Sequence, residues 1–131
     1  MLPQTSYSRL MRIAIASILF VCPFGIANGQ SREVEFNRDI RPILSDRCFQ
    51  CHGPNENDRQ ANLRLDQAGG ADGAYREESR VTAIKPGSLK DSELWARISS
   101  ADADTVMPPA DSNKKPLSQA EQELFRQWIE D

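Results

Sequence analysis

Apolar residues recur at helical spacing in three stretches of the chain, and polar residues fill the gaps between them. The C-terminal stretch is the clearest, because Ser118 and Glu121 form a capping box ahead of an apolar face. A middle stretch predicts a helix that Ser88 or Asp91 caps, and an earlier stretch predicts a helix that ends near Cys51. The apolar positions, in chain order, are Phe36, Ile40, Ile43 and Leu44; Leu94, Trp95 and Ile98; and Leu117, Leu124, Phe125, Trp128 and Ile129.

The start of the earliest helix has two candidate caps. Asn37 or Asp39 could accept hydrogen bonds from the free N–H groups of the first turn. Pro42 favours the later start, because a proline in the first turn of a helix loses no hydrogen bond. We therefore expect one short helix, with its apolar face turned toward the interior and the last helix.

The segments between the predicted helices are loops by composition, above all residues 53–61 and 67–73. Leu63 and Leu65 stand between these loops. Their alternation with a polar residue predicts a short extended piece with both leucines facing inward. Lys85-Pro86-Gly87 has the composition of a turn.

Residues 1–29 have the pattern of a secretory signal peptide. Arg9 and Arg12 form a basic start, an apolar run follows, and small residues place the expected cleavage after Gly29. The run is short for a transmembrane helix. An uncleaved anchor or a buried helix is the alternative. Cys22 lies inside this leader, and we expect it to be removed with it. Lipidation at Cys22 is the minor alternative, because the bulky Val21 stands where a lipoprotein signal has a small residue.

The expected exported domain, residues 30–131, is acidic. The chain has 16 Lys and Arg against 19 Asp and Glu. The leader contains two of the arginines and no acidic residue, so the domain has a formal net charge of −5. An acidic surface without Lys or Arg clusters argues against nucleic acid or an anionic membrane as the partner. The domain is also poor in apolar residues, and such small chains usually need a cofactor or a cross-link to stabilise the core.

The segment Cys48-Phe49-Gln50-Cys51-His52 has the spacing of covalent c-type haem attachment. About one helical turn separates the two thiols, so both can reach the vinyl groups on one porphyrin edge, and the adjacent histidine can ligate the iron. A structural zinc site would need four Cys or His ligands, and the exported domain has only these three. A thioredoxin-like pair would need a βαβ context. A disulfide between Cys48 and Cys51 would close an unusually small loop, and it stays open as an alternative.

Met107 is the only methionine of the exported domain. It lies in a polar loop directly before Pro108 and Pro109, which stiffen the chain, whereas a methionine that fills a core has apolar neighbours. We therefore predict that Met107 is the second axial ligand of the iron. Thioether ligation opposite imidazole favours reduced iron, and a closed six-coordinate iron transfers electrons and leaves no site for substrate. A lysine, a water molecule or an open site is the alternative.

Further side chains are candidates for contact with the haem, although ordinary core or surface positions explain them equally well. The aromatic candidates would pack on the ring or hydrogen-bond a propionate, and the basic ones would neutralise the propionates. They are Trp95, Phe49 and Tyr75 for the first role and Arg59, Arg64 and Arg80 for the second.

Several of these motifs occur together and in a characteristic order. They are residues 36–44, Cys48 to Gly53, Leu63-Arg64-Leu65-Asp66, Pro86-Gly87 ahead of Ser92-Glu93-Leu94, Met107-Pro108-Pro109 and the helix over residues 124–131. In this combination the chain resembles the planctomycete-type cytochrome c domain of the class I cytochrome c superfamily. The resemblance implies a mostly α, small cytochrome c-like fold of three to four short helices wrapped around one covalently bound haem. It further implies thioether bonds at Cys48 and Cys51, His52 as the proximal ligand and Met107 as the distal ligand.

The end of the last helix suggests how this domain is used. Glu130 and Asp131 place two acids at the negative end of the helix dipole, without a glycine cap or a basic residue in the last turn. In the family that the chain resembles, the domain typically lies near the N-terminus of much larger exported proteins. We therefore expect residues 30–131 to be the N-terminal part of a longer protein.

Together these features predict an exported, monohaem c-type cytochrome module in the periplasm or cell envelope that transfers single electrons. We expect one covalently attached haem c per chain and a redox protein or a fused enzymatic domain as partner. Nucleic acid is not expected, and membrane contact would occur only through an uncleaved leader. We expect no catalytic residue, because the acids lack the paired spacing of general acid–base catalysis. The alternatives are a peroxidase-like haem enzyme with an open sixth coordination site and a haem-free, disulfide-linked binding module.

Overall fold

The computed structural model describes residues 32–78 and 81–131, with only the backbone described for residues 77 and 78. The predicted leader (residues 1–29) and Arg80 lie outside these ranges. In the described part of the chain, no helix is both long and apolar enough to cross a membrane.

The fold is mostly helical, as predicted, and its helices are short. In chain order they are α1 (Arg41–Arg47), α2 (Phe49–His52), α3 (Glu93–Ile98) and α4 (Gln119–Glu130), with a π-helical turn over Phe36–Ile40 and a 3₁₀ turn over Ala110–Ser112. Two short antiparallel strands, β1 (Glu77–Glu78) and β2 (Val81–Thr82), pair between α2 and α3. The sequence did not predict these strands, because two residues are too few to show the alternation of a strand.

The first helical segment begins earlier than predicted, and both predicted caps are wrong. The π-helical turn starts at Phe36, and neither Asn37 nor Asp39 occupies its cap position. The Asp39 carboxylate instead accepts the backbone N–H of Glu35 at 2.9 Å and lies inside the turn. Pro42 lies in the first turn of α1, as predicted, where its missing N–H removes no hydrogen bond.

A break at Cys48 divides the predicted single helix into α1 and α2. Cys48 has φ −121° and ψ −39°, outside the helical values, although its N–H still donates to Leu44 O at 2.8 Å. Its own carbonyl then accepts the N–H groups of Cys51 at 3.0 Å and His52 at 2.7 Å. Gly53 ends the segment, and a Cβ at this position would collide with the carbonyl oxygen of Phe49. Glycine therefore allows the chain to leave α2 directly after His52.

Helix α3 begins at a residue that the sequence did not predict as its cap. Its cap position is Ser92, which is 1% exposed, and not Ser88 or Asp91. The Ser92 hydroxyl makes no cap bond. It donates to Ser88 O at 2.7 Å and accepts the N–H of Lys85 at 2.9 Å. Ser92 thus fixes the start of α3 to the turn that precedes it.

The predicted turn Lys85-Pro86-Gly87 is confirmed. Gly87 has φ +77°, a left-handed value that favours glycine, and its N–H donates to Ile129 O at 2.6 Å. The turn therefore connects the approach to α3 with the last turn of α4.

Helix α4 carries the capping box that the sequence predicted. Ser118 Oγ accepts the N–H of Glu121 at 3.3 Å, and the Glu121 carboxylate accepts the N–H of Ser118 at 2.7 Å. Trp128 on the same helix packs on Phe36 with ring centroids 5.4 Å apart, which joins α4 to the first helical segment. The core that these elements enclose consists of Ile40, Leu44, Leu65, Ala74, Ile84, Ile98, Leu117, Phe125 and Ile129.

Candidate functional site

The four predicted site residues line one cavity. Cys48, Cys51, His52 and Met107 all contribute to its wall, and its volume is about 740 Å³. Cavities that bind cofactors and small ligands typically have volumes of about 300–1,000 Å³. The fold therefore brings Met107 to the same cavity as the Cys-His segment, more than fifty positions earlier in the chain.

Apolar side chains from separate parts of the fold complete much of this wall. Leu63 and Leu65 both line the cavity, so both leucines face inward as predicted, although Leu65 lies in a turn and no strand forms there. Leu94 and Ile98 present the apolar face of α3 to the same space, and Pro108 follows Met107 along the wall. An apolar lining of this kind excludes water and suits the faces of a large planar ligand.

The aromatic candidates lie elsewhere. Among the described residues that line the cavity, neither Phe49 nor Trp95 occurs, and both pack at the edge of the core instead. Tyr75 is also outside the cavity wall and is 44% exposed. The ordinary core and surface positions that the sequence left open for these residues are the ones found.

Both cysteines are free thiols on consecutive turns of the backbone. The N–H of Cys51 donates to Cys48 O at 3.0 Å, so a tight turn holds the two residues together on the cavity wall. Burial raises the pKa of the Cys48 thiol to about 12, and the Arg47 guanidinium opposes this shift. Cys48 is therefore a protonated thiol at neutral pH. The structure contains no disulfide between the two residues.

His52 lines the cavity, and its ring atom Nδ1 has an unusual environment. Its Nδ1 is buried and has no hydrogen-bond partner among the described residues. Burial is also the main cause of a lowered pKa at His52. The backbone of Gln60 opposes this lowering, although it makes no well-formed hydrogen bond to Nδ1. The imidazole is therefore neutral at pH 7, the form in which histidine ligates metals.

Met107 is held in place through its backbone. Its N–H donates to Arg97 O at 3.1 Å, and the N–H of Val106 donates to Asp102 O at 2.9 Å. Pro108 and Pro109 follow and also line the cavity. Met107 therefore lies on a segment that α3 positions on one side and two prolines stiffen on the other.

The basic residues of the cavity differ from those that the sequence suggested. Arg59 binds the carbonyls of Gly53 and Pro54 at 3.0 and 2.9 Å, and Arg64 pairs with Asp66 at 2.5 Å. Neither lines the cavity within the part of the chain that the structure describes. The basic residues that do are Arg47, Arg76, Arg97 and Lys114. Of these four, only Arg47 stands beside the attachment motif in the sequence, directly before Cys48.

The sequence argued against a structural zinc site from the number of available ligands. Among the described residues, no group of three His, Cys, Asp or Glu side chains is placed to hold a metal ion.

Comparison with known proteins supports a c-type cytochrome. The model of the family described as planctomycete cytochrome C matches residues 48–111, a range that begins at Cys48 and includes His52 and Met107. No curated protein and no solved structure matches the chain significantly. Residues 48–111 are therefore similar to a planctomycete cytochrome C domain, and this similarity points to a cytochrome c-type haem protein.

Proposed function

We propose that the domain holds one haem, attached through Cys48 and Cys51 and ligated by His52 and Met107, and that it transfers single electrons. The observation that carries this proposal is the common cavity of the four residues. The buried Nδ1 of His52 gives a second test of the fit, because it leaves Nε2 as the ring nitrogen available to the cavity. The helices of the domain would then enclose the haem as the centre of the core.

The two thiols have the role of attachment. Each S–H would add across one vinyl group of the porphyrin, which forms a thioether and releases no other product. The turn that joins Cys48 and Cys51 holds both residues on the cavity wall. Covalent attachment would also stabilise a domain whose own apolar core is small.

The two axial residues have different roles. His52 supplies a neutral imidazole because its surroundings oppose protonation. Met107 supplies an uncharged thioether, which favours the reduced form of iron. When bound in this way, haem supplies an iron that gains and loses one electron. If His52 and Met107 both held the iron, no position on it would remain for a substrate, so we propose electron transfer and not catalysis.

The surroundings of the domain follow from the same proposal. Domains of this family are typically exported, and we propose that residues 1–29 act as the export signal and that the domain works in the periplasm or cell envelope. The partner would be another redox protein or an enzymatic domain fused downstream.

Haem attachment can be tested on the full chain, produced together with a c-type cytochrome maturation system. We expect the mass of one haem on the purified protein and a haem that acid–acetone extraction does not remove. Cys48→Ala and Cys51→Ala should each leave a single thioether bond, and the double variant should lose covalent haem. Cys22→Ala is the matched control, because this third cysteine lies in the predicted leader and should not affect attachment. A wild-type protein without covalent haem would refute the proposal.

A further inference from the structure

The loop after His52 contains two residues in an unfavourable backbone conformation. Ala61 and Asn62 have φ values of 51° and 47°, in the left-handed region that residues with a Cβ rarely adopt. Such a conformation persists only where other interactions hold it. The backbone bond from Leu63 N–H to Gln60 O closes the turn over these two residues, and one side chain, Arg76, binds both of them.

Arg76 binds both of these residues at once. Its Nη2 donates to Ala61 O at 2.6 Å, and its Nη1 donates to Asn62 O. The planar guanidinium can direct two parallel N–H groups at neighbouring acceptors, which an ammonium group cannot do in the same fixed geometry. Arg76 and Ala61 also both line the haem cavity. The guanidinium therefore fixes the backbone of the loop at the cavity wall.

Two backbone hydrogen bonds join the same loop to Cys51 and His52. The N–H of Gln60 donates to Cys51 O at 2.7 Å, and the N–H of Leu65 donates to His52 O at 2.9 Å. The Gln60 carbonyl accepts the N–H of Leu63 at 3.1 Å. A carbonyl oxygen has two lone pairs, so Gln60 O can accept one further hydrogen bond.

A histidine that ligates a metal almost always donates its other ring N–H to a carboxylate, a backbone carbonyl or water. In this structure the Nδ1 of His52 is buried without such a partner. The hydrogen bond from Gln60 N–H to Cys51 O places Gln60 beside the Cys51–His52 segment, and Gln60 directly precedes the two residues that Arg76 holds. The acceptor that His52 needs is therefore on the segment that Arg76 fixes.

We propose that Arg76 is a positioning residue for His52: by holding the Ala61 and Asn62 carbonyls, it keeps Gln60 O where it can accept the Nδ1 proton of the ligating imidazole. The proposal rests on the proposed function, because it assumes that His52 ligates the haem iron. Arg76 acts through the loop and does not touch the iron. A hydrogen bond at Nδ1 fixes the orientation of the ring and increases its strength as a ligand.

The test uses the full-length, haem-loaded protein in its reduced state, in which the ring N–H of His52 can be followed by NMR. The measured quantity is the rate at which the Nδ1 proton exchanges with solvent. In Arg76→Gln the two guanidinium hydrogen bonds to the loop are lost, and we expect this exchange to be about tenfold faster, as for the loss of one typical hydrogen bond at Nδ1. Arg76→Lys keeps the charge but not the paired hydrogen bonds, and it should also accelerate exchange. This second variant separates the effect of the paired guanidinium hydrogen bonds from the effect of the positive charge. It also allows the measurement to be made if Arg76→Gln does not fold.

The matched control is Arg64→Gln. Arg64 is a nearby arginine whose guanidinium pairs with Asp66 at the surface. In Arg64→Gln the exchange rate of the His52 Nδ1 proton should stay within about twofold of the wild-type rate, as for an ordinary surface change. Equal acceleration in Arg64→Gln, or unchanged exchange in both Arg76 variants, would overturn the role of Arg76. A wild-type protein that carries no haem would instead overturn the proposed function itself, so the two failures are distinguishable.

Discussion

The backbone N–H of Met107 donates to the carbonyl of Arg97 at 3.1 Å, which ties the methionine segment to the last turn of α3. Arg97 also lines the cavity, and its side chain pairs with Glu93 at 2.8 Å along the same helix. The helix that supplies apolar residues to the cavity therefore also sets the position of its methionine. The site depends on α3 as much as on the Cys-His segment.

Replacement of Met107 tests its role as the sixth ligand. In haem-loaded Met107→Ala we expect the axial position to open, so that added cyanide binds readily and the reduction potential falls. Absorption spectroscopy and a redox titration measure both effects. Val106→Ala is the control, because Val106 precedes the methionine and is not among the described residues of the cavity wall. If Met107→Ala kept the wild-type spectrum and resistance to cyanide, another residue would be the ligand.

The core residue Phe125 should contribute strongly to stability. It is 1% exposed, on the buried face of α4, and its ring lies at 79° to that of Trp128 with a centroid distance of 6.3 Å. Phe125→Ala should lower the free energy of unfolding by about 3–5 kcal/mol, because the lost apolar contacts leave a cavity. Urea denaturation of the haem-loaded protein measures the difference. Gln119→Ala, at an exposed position of the same helix, should stay within about 0.5 kcal/mol of the wild type.

Loss of the capping box should have a smaller effect on stability. Ser118→Ala removes the acceptor for the Glu121 N–H and should lower the free energy of unfolding by about 1 kcal/mol. The same denaturation experiment applies. Ser45→Ala changes an exposed serine inside α1 and should not reduce stability, since alanine is the better helix former. Equal destabilisation by both variants would argue against a specific cap.

Asp39 should make the stability of the domain depend on pH in acid. The Arg38 guanidinium and the backbone N–H of Glu35 hold the pKa of this carboxyl group well below its usual range. Because the folded-state pKa is depressed, the carboxylate stabilises the fold above the unfolded-state pKa of about 3.9. That contribution is lost as the pH falls from there toward the folded-state pKa.

Asp39→Asn should therefore be less stable than the wild type at pH 6, and the difference should shrink at pH 3. Urea denaturation at the two pH values measures this change. Asp104→Asn, an exposed position, should show no comparable pH-dependent difference. A difference between Asp39→Asn and wild type that grew toward acid pH would contradict the assigned sign.

The sequence predicted best where the relevant interactions are short in range. The capping box at Ser118 and the turn at Gly87 each depend on residues within about one helical turn, and both lie where they were expected. The Cys-His segment is equally local, and its two cysteines and its histidine line one cavity. The caps of α3 and of the first helical segment were missed for the opposite reason. Ser92 binds Lys85, seven positions away, and Asp39 binds Arg32 at 2.8 Å across the same separation.

By itself the sequence determined which side chains the domain can offer to a cofactor: two thiols at the spacing of haem attachment, the only histidine beside them, and one methionine between a polar loop and two prolines. Tertiary structure alone decided which basic side chains line the cavity and which hydrogen bonds fix the segments around it. Arg47 reaches the carbonyl of Lys115 at 2.7 Å across 68 positions, and Arg76 binds a loop 14 and 15 positions earlier. Long flexible side chains meet such partners only after the backbone has folded, so no local sequence pattern can predict these contacts.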